Sequence, residues 1–266
     1  MTDPNSYEPA LTYAKYLAVD ELLTLQRPLS DGPEHDELLF IIIHQTYELW
    51  FKQLLHEGEE TQRALEAGDA HYAMALLGRI RTIMKICVAQ IDILETMTPL
   101  QFNSFRSRLE SASGFQSAQF REFEALLGRR DLKAASHLDP HSKARVEKRM
   151  KEHSLWDSVL RFITTRGVAL PKTVIDRDVS EQYLPNEDVQ KALLQLHAQD
   201  PLAALVCERL VDVDEGLQEW RYRHVKMVER TIGHKMGTGG SSGASYLAST
   251  LFKPVFPDLW EIRSSF

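Results

Sequence analysis

The apolar residues of this chain recur every three to four positions over most of its length, and no other feature constrains the fold as strongly. Alternating strand patterns are scarce, and five of the thirteen glycines fall in the single stretch 233–245. The chain is therefore expected to be all-α, with one domain over residues 1–266. Helices are predicted near 11–26, 34–61, 70–96, 99–110, 117–128, 142–164, 187–197, 201–232 and 242–250.

Three stretches stand apart from this pattern. Residues 128–153 form a basic island in an acidic chain, where a solvated helical hairpin is favoured over a binding site. Residues 165–186 contain two prolines and are predicted to be irregular. Residues 253–266 also carry two prolines, and we expect them to pack as an extended arm.

Composition excludes several classes of protein. The formal net charge of −7 argues against nucleic-acid binding, which needs basic surfaces. No run approaches the roughly 18 apolar residues of a membrane span, and the N-terminal residues lack the features of a secretion signal. Cys87 and Cys207 lie in apolar surroundings and are expected to be buried free thiols. These features predict a cytoplasmic protein without nucleic-acid or membrane partners.

A histidine interrupts the apolar run FIIIHQTYELWF at 40–51. At about 100° per residue, His44 falls on the helix face that carries three aromatic residues, Phe40, Tyr47 and Phe51. One interpretation is a core histidine satisfied by hydrogen bonds. The other is a pocket-lining imidazole that meets a flat, apolar ligand with a single polar group.

His224 occupies a similar position in the long helix predicted at 201–232. It shares a face with Trp220, Met227 and Thr231, whereas the neighbouring charged residues lie elsewhere. A core histidine is again one interpretation. The other is an axial ligand to haem iron, because a neutral imidazole on a rigid apolar helix suits that role. Two inward histidines could then flank one planar cofactor.

An arginine on an apolar face needs an anion. Phe102, Arg106, Leu109 and Ser113 share one face of the helix predicted after Thr98. A planar guanidinium grips a carboxylate with two parallel hydrogen bonds. Arg106 is therefore either a carboxylate-binding residue or part of an internal salt bridge.

Most catalytic motifs fail in this chain. HExxH and CxxCH are absent, the latter excluding covalent c-type haem, and Pro140 separates His137 from His141. The glycine-rich stretch has neither a dinucleotide fingerprint nor a P-loop. It does contain GxSxG at 239–243, but a nucleophile elbow needs a preceding strand, and a charged helix precedes it here. A loop whose Thr238 hydroxyl closes over a small ligand fits better.

Long segments of the chain match one protein family. They are LTYAKYL at 11–17, FIIIHQTYELWFKQLLHE at 40–57, TPLQFNSFRSRLESASGFQSAQFRE at 98–122 and WRYRHVKMVERTIGHKMGTGGSSGASYL at 220–247. Together they closely resemble bacterial tryptophan 2,3-dioxygenases, from about residue 7 to the C-terminus. The resemblance implies an all-helical homotetramer, a dimer of dimers, with one non-covalent haem b per subunit. The haem would be ferrous in the active form, and O2 would be inserted across the indole C2–C3 bond of L-tryptophan to give N-formyl-L-kynurenine.

The resemblance also implies residue roles. His224 would be the proximal iron ligand, and His44 the distal histidine that meets the indole N–H. Arg106, helped by Thr238, would bind the substrate carboxylate. The remaining positions would complete the site: Phe40, Phe102 and Leu109 around the indole, Ser113 and Gly114 near the distal haem edge, and Tyr13, Tyr16 and Leu17 from the N-terminal arm (1–30) of a neighbouring subunit. A dioxygenase of the indoleamine type and a haem-binding sensor or carrier are the alternatives.

Overall fold

The computed structural model describes residues 11–32, 34–233, 235–238 and 243–266, and within them it contains helices and no strand. This confirms the all-α prediction. The α-helices are α1 Tyr13–Leu17, α2 Val19–Leu22, α3 His35–Glu66, α4 Ala70–Leu94, α5 Pro99–Arg106, α6 Ala118–Leu127, α7 Pro140–Met150, α8 Leu155–Thr165, α9 Lys172–Ile175, α10 Glu187–Gln199, α11 Pro201–Ile232, α12 Ala244–Ala248 and α13 Pro257–Glu261. Short 3-10 turns cover Ser107–Leu109, Gly114–Gln116, Leu132–Ala135 and Ile262–Ser265.

Three long helices, α3, α4 and α11, form the frame of the molecule. Helix α4 packs against both of the others. Each presents one continuous apolar face, and those faces bury the largest part of the core. Local signals set their ends: Asp69 caps α4 through Tyr72 N at 3.0 Å, and Asp200 caps α11 through Ala203 N at 3.1 Å, ahead of Pro201.

Helix α6 lies tightly against α3. A Cβ at Gly58 would lie 2.5 Å from Cδ2 of Leu126, so a side chain there would force the buried Leu126 side chain to shift. This contact fixes α6 beside the aromatic face of α3, where the Phe51 and Phe120 ring centroids are 5.2 Å apart.

Two predicted helices are each divided in two. The helix predicted at 11–26 breaks at Ala18, whose φ of 50° lies in the left-handed region. The helix predicted at 142–164 breaks after Met150. A capping box between Ser154 and Asp157 then starts α8, with Ser154 N donating to Asp157 Oδ2 at 2.7 Å.

The C-terminal segment does not form the extended arm that its prolines suggested. It folds into α13 and a 3-10 turn because the buried Asp214 carboxylate holds its start. Oδ2 of Asp214 accepts from Val255 N at 2.8 Å, Phe256 N at 3.1 Å and Trp260 Nε1 at 3.0 Å.

Other segments follow the predictions in part. Stretch 165–186 is irregular apart from α9, and both cysteines are free and buried. The basic island 128–153 is not a simple solvated hairpin, because Arg129 and Arg130 turn into the protein. Among the described helices, none is long and apolar enough to cross a membrane.

Candidate active site

A deep cavity opens between α3, α5, α6 and α11, with an empty volume of about 1230 Å³ including its mouth. Its wall is mostly apolar, with a few polar groups, which is typical of a cofactor or small-molecule site. The cavity gathers nine of the residues singled out from the sequence: Phe40, His44, Phe102, Arg106, Leu109, Ser113, Gly114, His224 and Thr238.

His44 lines this cavity as a neutral hydrogen-bond acceptor. Its Nδ1 lies 2.7 Å from the carbonyl oxygen of Phe40, and a carbonyl can only accept, so Nδ1 carries the proton. Burial lowers the pKa of His44, which keeps the ring uncharged at neutral pH. The lone pair of Nε2 is therefore available for a ligand's N–H.

A glycine leaves space beside that nitrogen. A Cβ at Gly114 would lie 3.6 Å from Nε2 of His44. The preceding Ser113 caps the 3-10 turn through Phe115 N at 3.3 Å. The turn thus brings a backbone without a side chain to the edge of the His44 imidazole.

His224 faces the same cavity from α11. Its ring stacks on Trp220 with centroids 5.1 Å apart and planes 12° apart. Burial, with smaller contributions from the nearby His44 and Arg121, lowers the pKa of His224 to about 4. Among the described residues His224 has no hydrogen-bond partner, so a neutral imidazole with unused nitrogen atoms borders the cavity.

Arg106 and Thr238 meet at the mouth of the cavity. Arg106 Nη2 donates to Met236 O at 2.7 Å, and the Thr238 hydroxyl donates to Ala112 O at 2.7 Å. No carboxylate pairs with Arg106 among the described residues, which argues against the internal salt bridge. Its guanidinium therefore keeps donors for an anionic ligand. Residues 239–242 of the same loop, including Ser241 of the GxSxG match, lie outside the described part of the chain.

Aromatic side chains surround His44. The Phe40 and His44 ring centroids are 4.1 Å apart, and Phe102 lies 5.8 Å from Phe40. Phe105 packs behind these rings, with its ring centroid 5.5 Å from that of Phe102. These rings offer a flat, apolar surface next to one polar atom.

A buried charge cluster forms another wall of the cavity, and the sequence did not reveal it. Oε2 of Glu124 accepts from Arg121 Nη1 at 2.6 Å, and its Oε1 accepts from Arg221 Nη2 at 2.6 Å. Nε of Arg121 and Nε1 of Trp220 are buried without a partner among the described residues. The one signal in the sequence was the presence of charged residues within the otherwise apolar segment FREFEALL at 120–127.

The three N-terminal candidates lie outside the cavity. Tyr13 is 77% exposed, Tyr16 is 74% exposed, and Leu17 is also exposed. None of them lines the cavity of this subunit. Their placement in a neighbouring subunit's site thus stays a prediction.

Comparison of the sequence with known proteins finds one family model and several relatives that share the same description. The family model described as tryptophan 2,3-dioxygenase matches residues 2–139 and 197–266. A tryptophan 2,3-dioxygenase of Anaeromyxobacter sp. (strain K) is 57% identical over 267 residues, which covers 100% of both chains. Its counterpart from Herpetosiphon aurantiacus is 58% identical over 96% of this chain and 98% of the relative. That of Caulobacter vibrioides is 43% identical, with the same two shares covered.

Proposed function

The chain belongs to the tryptophan 2,3-dioxygenase family, and on that premise we propose how its cavity holds the cofactor and substrate. The enzyme is a haem-dependent oxidoreductase that inserts O2 across the indole C2–C3 bond of L-tryptophan to give N-formyl-L-kynurenine. This reaction is the first step of tryptophan catabolism by the kynurenine pathway. The observation that carries the proposal is that His44 and His224, 180 positions apart, face one apolar cavity.

The residues around the cavity fit a haem. His224 would hold the iron, because its imidazole is neutral, lacks another partner among the described residues and stacks on Trp220. The partnerless N–H groups of Arg121 and Trp220 would suit the acidic and polar edge of the cofactor. Ser113 and Gly114 would border its distal edge. When bound, the haem supplies the redox chemistry through which dioxygen reacts with the indole.

His44 would orient the substrate. Its Nε2 can accept the indole N–H, which would otherwise be buried without a partner at a cost of about 1–3 kcal/mol. Phe40, Phe102 and Leu109 would enclose the ring. This arrangement both positions the indole and selects it over a wholly apolar ring.

Arg106 would recognise the amino-acid part of the substrate. Its guanidinium can bind the carboxylate with two parallel hydrogen bonds. The Thr238 hydroxyl lies at the same opening of the cavity. Arg106 contacts the backbone of Met236, two positions before Thr238, so the segment 235–238 would form part of the carboxylate site. Free indole lacks the group that these residues bind.

The proposal also covers the oligomeric state of the protein and its location in the cell. We propose a homotetramer, a dimer of dimers with one ferrous haem per subunit, in which Tyr13, Tyr16 and Leu17 complete a neighbour's site. Their exposure in the single chain supports this role. A cytoplasmic location is proposed on the basis of the free, buried thiols of Cys87 and Cys207.

An anaerobic spectral titration tests the proposal. The haem-loaded enzyme is reduced, its visible spectrum is measured before and after addition of L-tryptophan, and O2 is then admitted. We expect a spectral shift followed by N-formylkynurenine, and we expect His224→Ala to lose the ferrous haem spectrum. An unchanged ferrous spectrum in His224→Ala would exclude this histidine as the iron ligand.

A further inference from the structure

Three deeply buried charged side chains line the cavity together with His224. Arg121, Glu124 and Arg221 are 7%, 4% and 4% exposed, and charged groups are almost never buried this far unless they are paired. Here Oε2 of Glu124 accepts from Arg121 Nη1 and its Oε1 accepts from Arg221 Nη2, at 2.6 Å each. Both oxygen atoms of the carboxylate are therefore engaged in holding the two arginines at the cavity wall.

One donor of this group of side chains is left over. Nε of Arg121 is buried and has no hydrogen-bond partner among the described residues, whereas Nη1 of the same guanidinium is held by Glu124. A buried donor without a partner costs free energy, which an acceptor in the cavity would recover. The carboxylate groups of a haem are acceptors of this kind.

Aromatic rings connect Arg121 with the histidine that would hold the iron. Cζ of Arg121 lies 5.4 Å from the ring centroid of Phe120. The Phe120 ring packs on Trp220 with centroids 4.6 Å apart, and Trp220 in turn stacks on His224. Burial is the main cause of the lowered pKa of His224, and the positive charge of Arg121 contributes to it. The charge of Arg121 thus acts on the imidazole of His224.

Glu124 adds a negative charge to the same wall. Burial raises the pKa of Glu124, but the guanidinium groups of Arg121, Arg221 and Arg129 hold it at about 2, so the carboxylate is ionised at neutral pH. Salt and water screen buried charges much less than exposed ones. The charges of Arg121 and Glu124 should therefore both act on a cofactor in the cavity, with opposite signs.

We infer that Glu124 is a positioning residue for the haem, which holds Arg121 beside the cofactor and, through the balance of charge in this pair, sets the reduction potential of the iron. The inference rests on the proposed function. Reduction of ferric haem adds one electron and so removes one positive charge at the iron. A nearby cation favours the reduced form and a nearby anion the oxidised form. Arg121 should therefore raise the potential, and Glu124 should limit that rise.

Spectroelectrochemical titration of the haem-loaded enzyme at pH 7 tests this inference without substrate or turnover. Glu124→Gln should shift the midpoint potential to more positive values, and Arg121→Gln should shift it to more negative values. Each shift should be on the order of a tenfold change in the ferric–ferrous equilibrium constant, which is about 59 mV for a one-electron couple. The double variant should lie close to the wild type, because it loses one charge of each sign.

Glu57→Gln is the matched control. Glu57 is a buried carboxylate on α3 that accepts from Arg79 Nη1 at 2.9 Å, and it does not line the cavity. Its substitution should lower stability and leave the potential unchanged. A pocket that is only loosened admits water and shifts the potential of both single variants in the same direction, whereas loss of opposite charges shifts them in opposite directions.

A comparison within the Arg121→Gln background covers the case in which Glu124→Gln does not retain haem. The double variant should then have a higher potential than Arg121→Gln alone. Shifts of the same sign in both single variants, or potentials equal to that of the wild type, would overturn the inference and leave the proposed function in place. A wild-type protein that binds no haem would overturn both.

Discussion

At the scale of single residues, His44 is prepared as an acceptor by its own helix. The carbonyl of Phe40 fixes the proton on Nδ1, and burial keeps the ring neutral by lowering its pKa. The indole N–H is very weakly acidic, so accepting a hydrogen bond from it is a smaller demand than removing its proton. We therefore assign His44 an orienting role.

His44→Ser should lower the kcat and weaken L-tryptophan binding, each on the order of tenfold, because the indole loses its acceptor. The haem should remain bound, since His224 is untouched. Steady-state rates and the visible spectrum measure the two effects. His56→Ser, at an exposed histidine on the same helix, is the control and should behave as the wild type does. Loss of haem from His44→Ser would contradict the orienting role.

Glu124 should make the fold sensitive to acid. Burial raises its pKa, but the guanidinium groups of Arg121, Arg221 and Arg129 outweigh that effect and hold the pKa at about 2. A carboxyl group whose folded pKa is depressed adds stability above its unfolded pKa, and this stability is lost as the pH falls towards the folded value. The window here runs from about pH 4.5 down to about 2.

Glu124→Gln should thus lower the free energy of unfolding at pH 7 by about 3 kcal/mol, through unpaired buried guanidinium groups. The difference from wild type should shrink as the pH falls from 5 to 3. Urea unfolding at several pH values measures it. Glu60→Gln, at a partly exposed residue paired with Arg63, is the control and should cost much less. A difference independent of pH would contradict this account.

At the scale of helices and loops, the sequence correctly predicted which side chains share one face of a helix. The faces shared by Phe40 with His44, and by Trp220 with His224, follow from helical periodicity, and the structure has them on single faces as expected. The break at Ala18 was missed, because alanine favours helix interiors and carries no signal for a positive φ.

Contacts between residues far apart in the chain could not be predicted from the pattern of residue types. Periodicity could not place His44 and His224 in one cavity, because that depends on how α3 and α11 pack against α4. Nor could it bring Glu124 to Arg221, which is 97 positions away. The sequence therefore identified candidate site residues, but the packing of the long helices determines which of them lie in the same cavity.

The loop at the mouth depends on one glycine. Gly243 has a φ of 61°, and a Cβ there would lie 2.8 Å from the Lys235 carbonyl oxygen. Gly243→Ala should displace the loop that bonds Arg106 and carries Thr238, and so raise the KM for L-tryptophan on the order of tenfold while haem absorbance is kept. Initial-rate kinetics measure the change.

Gly68→Ala is the control for this substitution. Gly68 also has a positive φ, of 79°, but a Cβ there meets nothing within 4 Å, and it lies in the turn between α3 and α4. It should lower stability through backbone strain alone and leave the KM unchanged. An equal rise in KM for both variants would show that the mouth loop is not the cause.

At the scale of the whole molecule, the largest side chains of the N-terminal arm are not buried against any of the described residues. Tyr13 and Tyr16 are exposed on α1, and neither helix of the arm buries a residue. Exposed aromatic residues grouped in this way typically mark an interface. If the arm reaches a neighbouring active site, then defects in the arm and in the haem pocket should complement each other between subunits.

Co-expression of two inactive variants tests this directly. One chain carries Tyr13→Ala and Tyr16→Ala with an intact haem pocket, and the other carries His224→Ala with an intact arm. Each alone should be nearly inactive, whereas hybrid oligomers, verified by sedimentation, should regain activity because the second chain's arm completes the first chain's pocket. Replacing the second chain by one with all three substitutions should prevent the recovery. Hybrids that stay inactive would mean that each arm serves its own subunit.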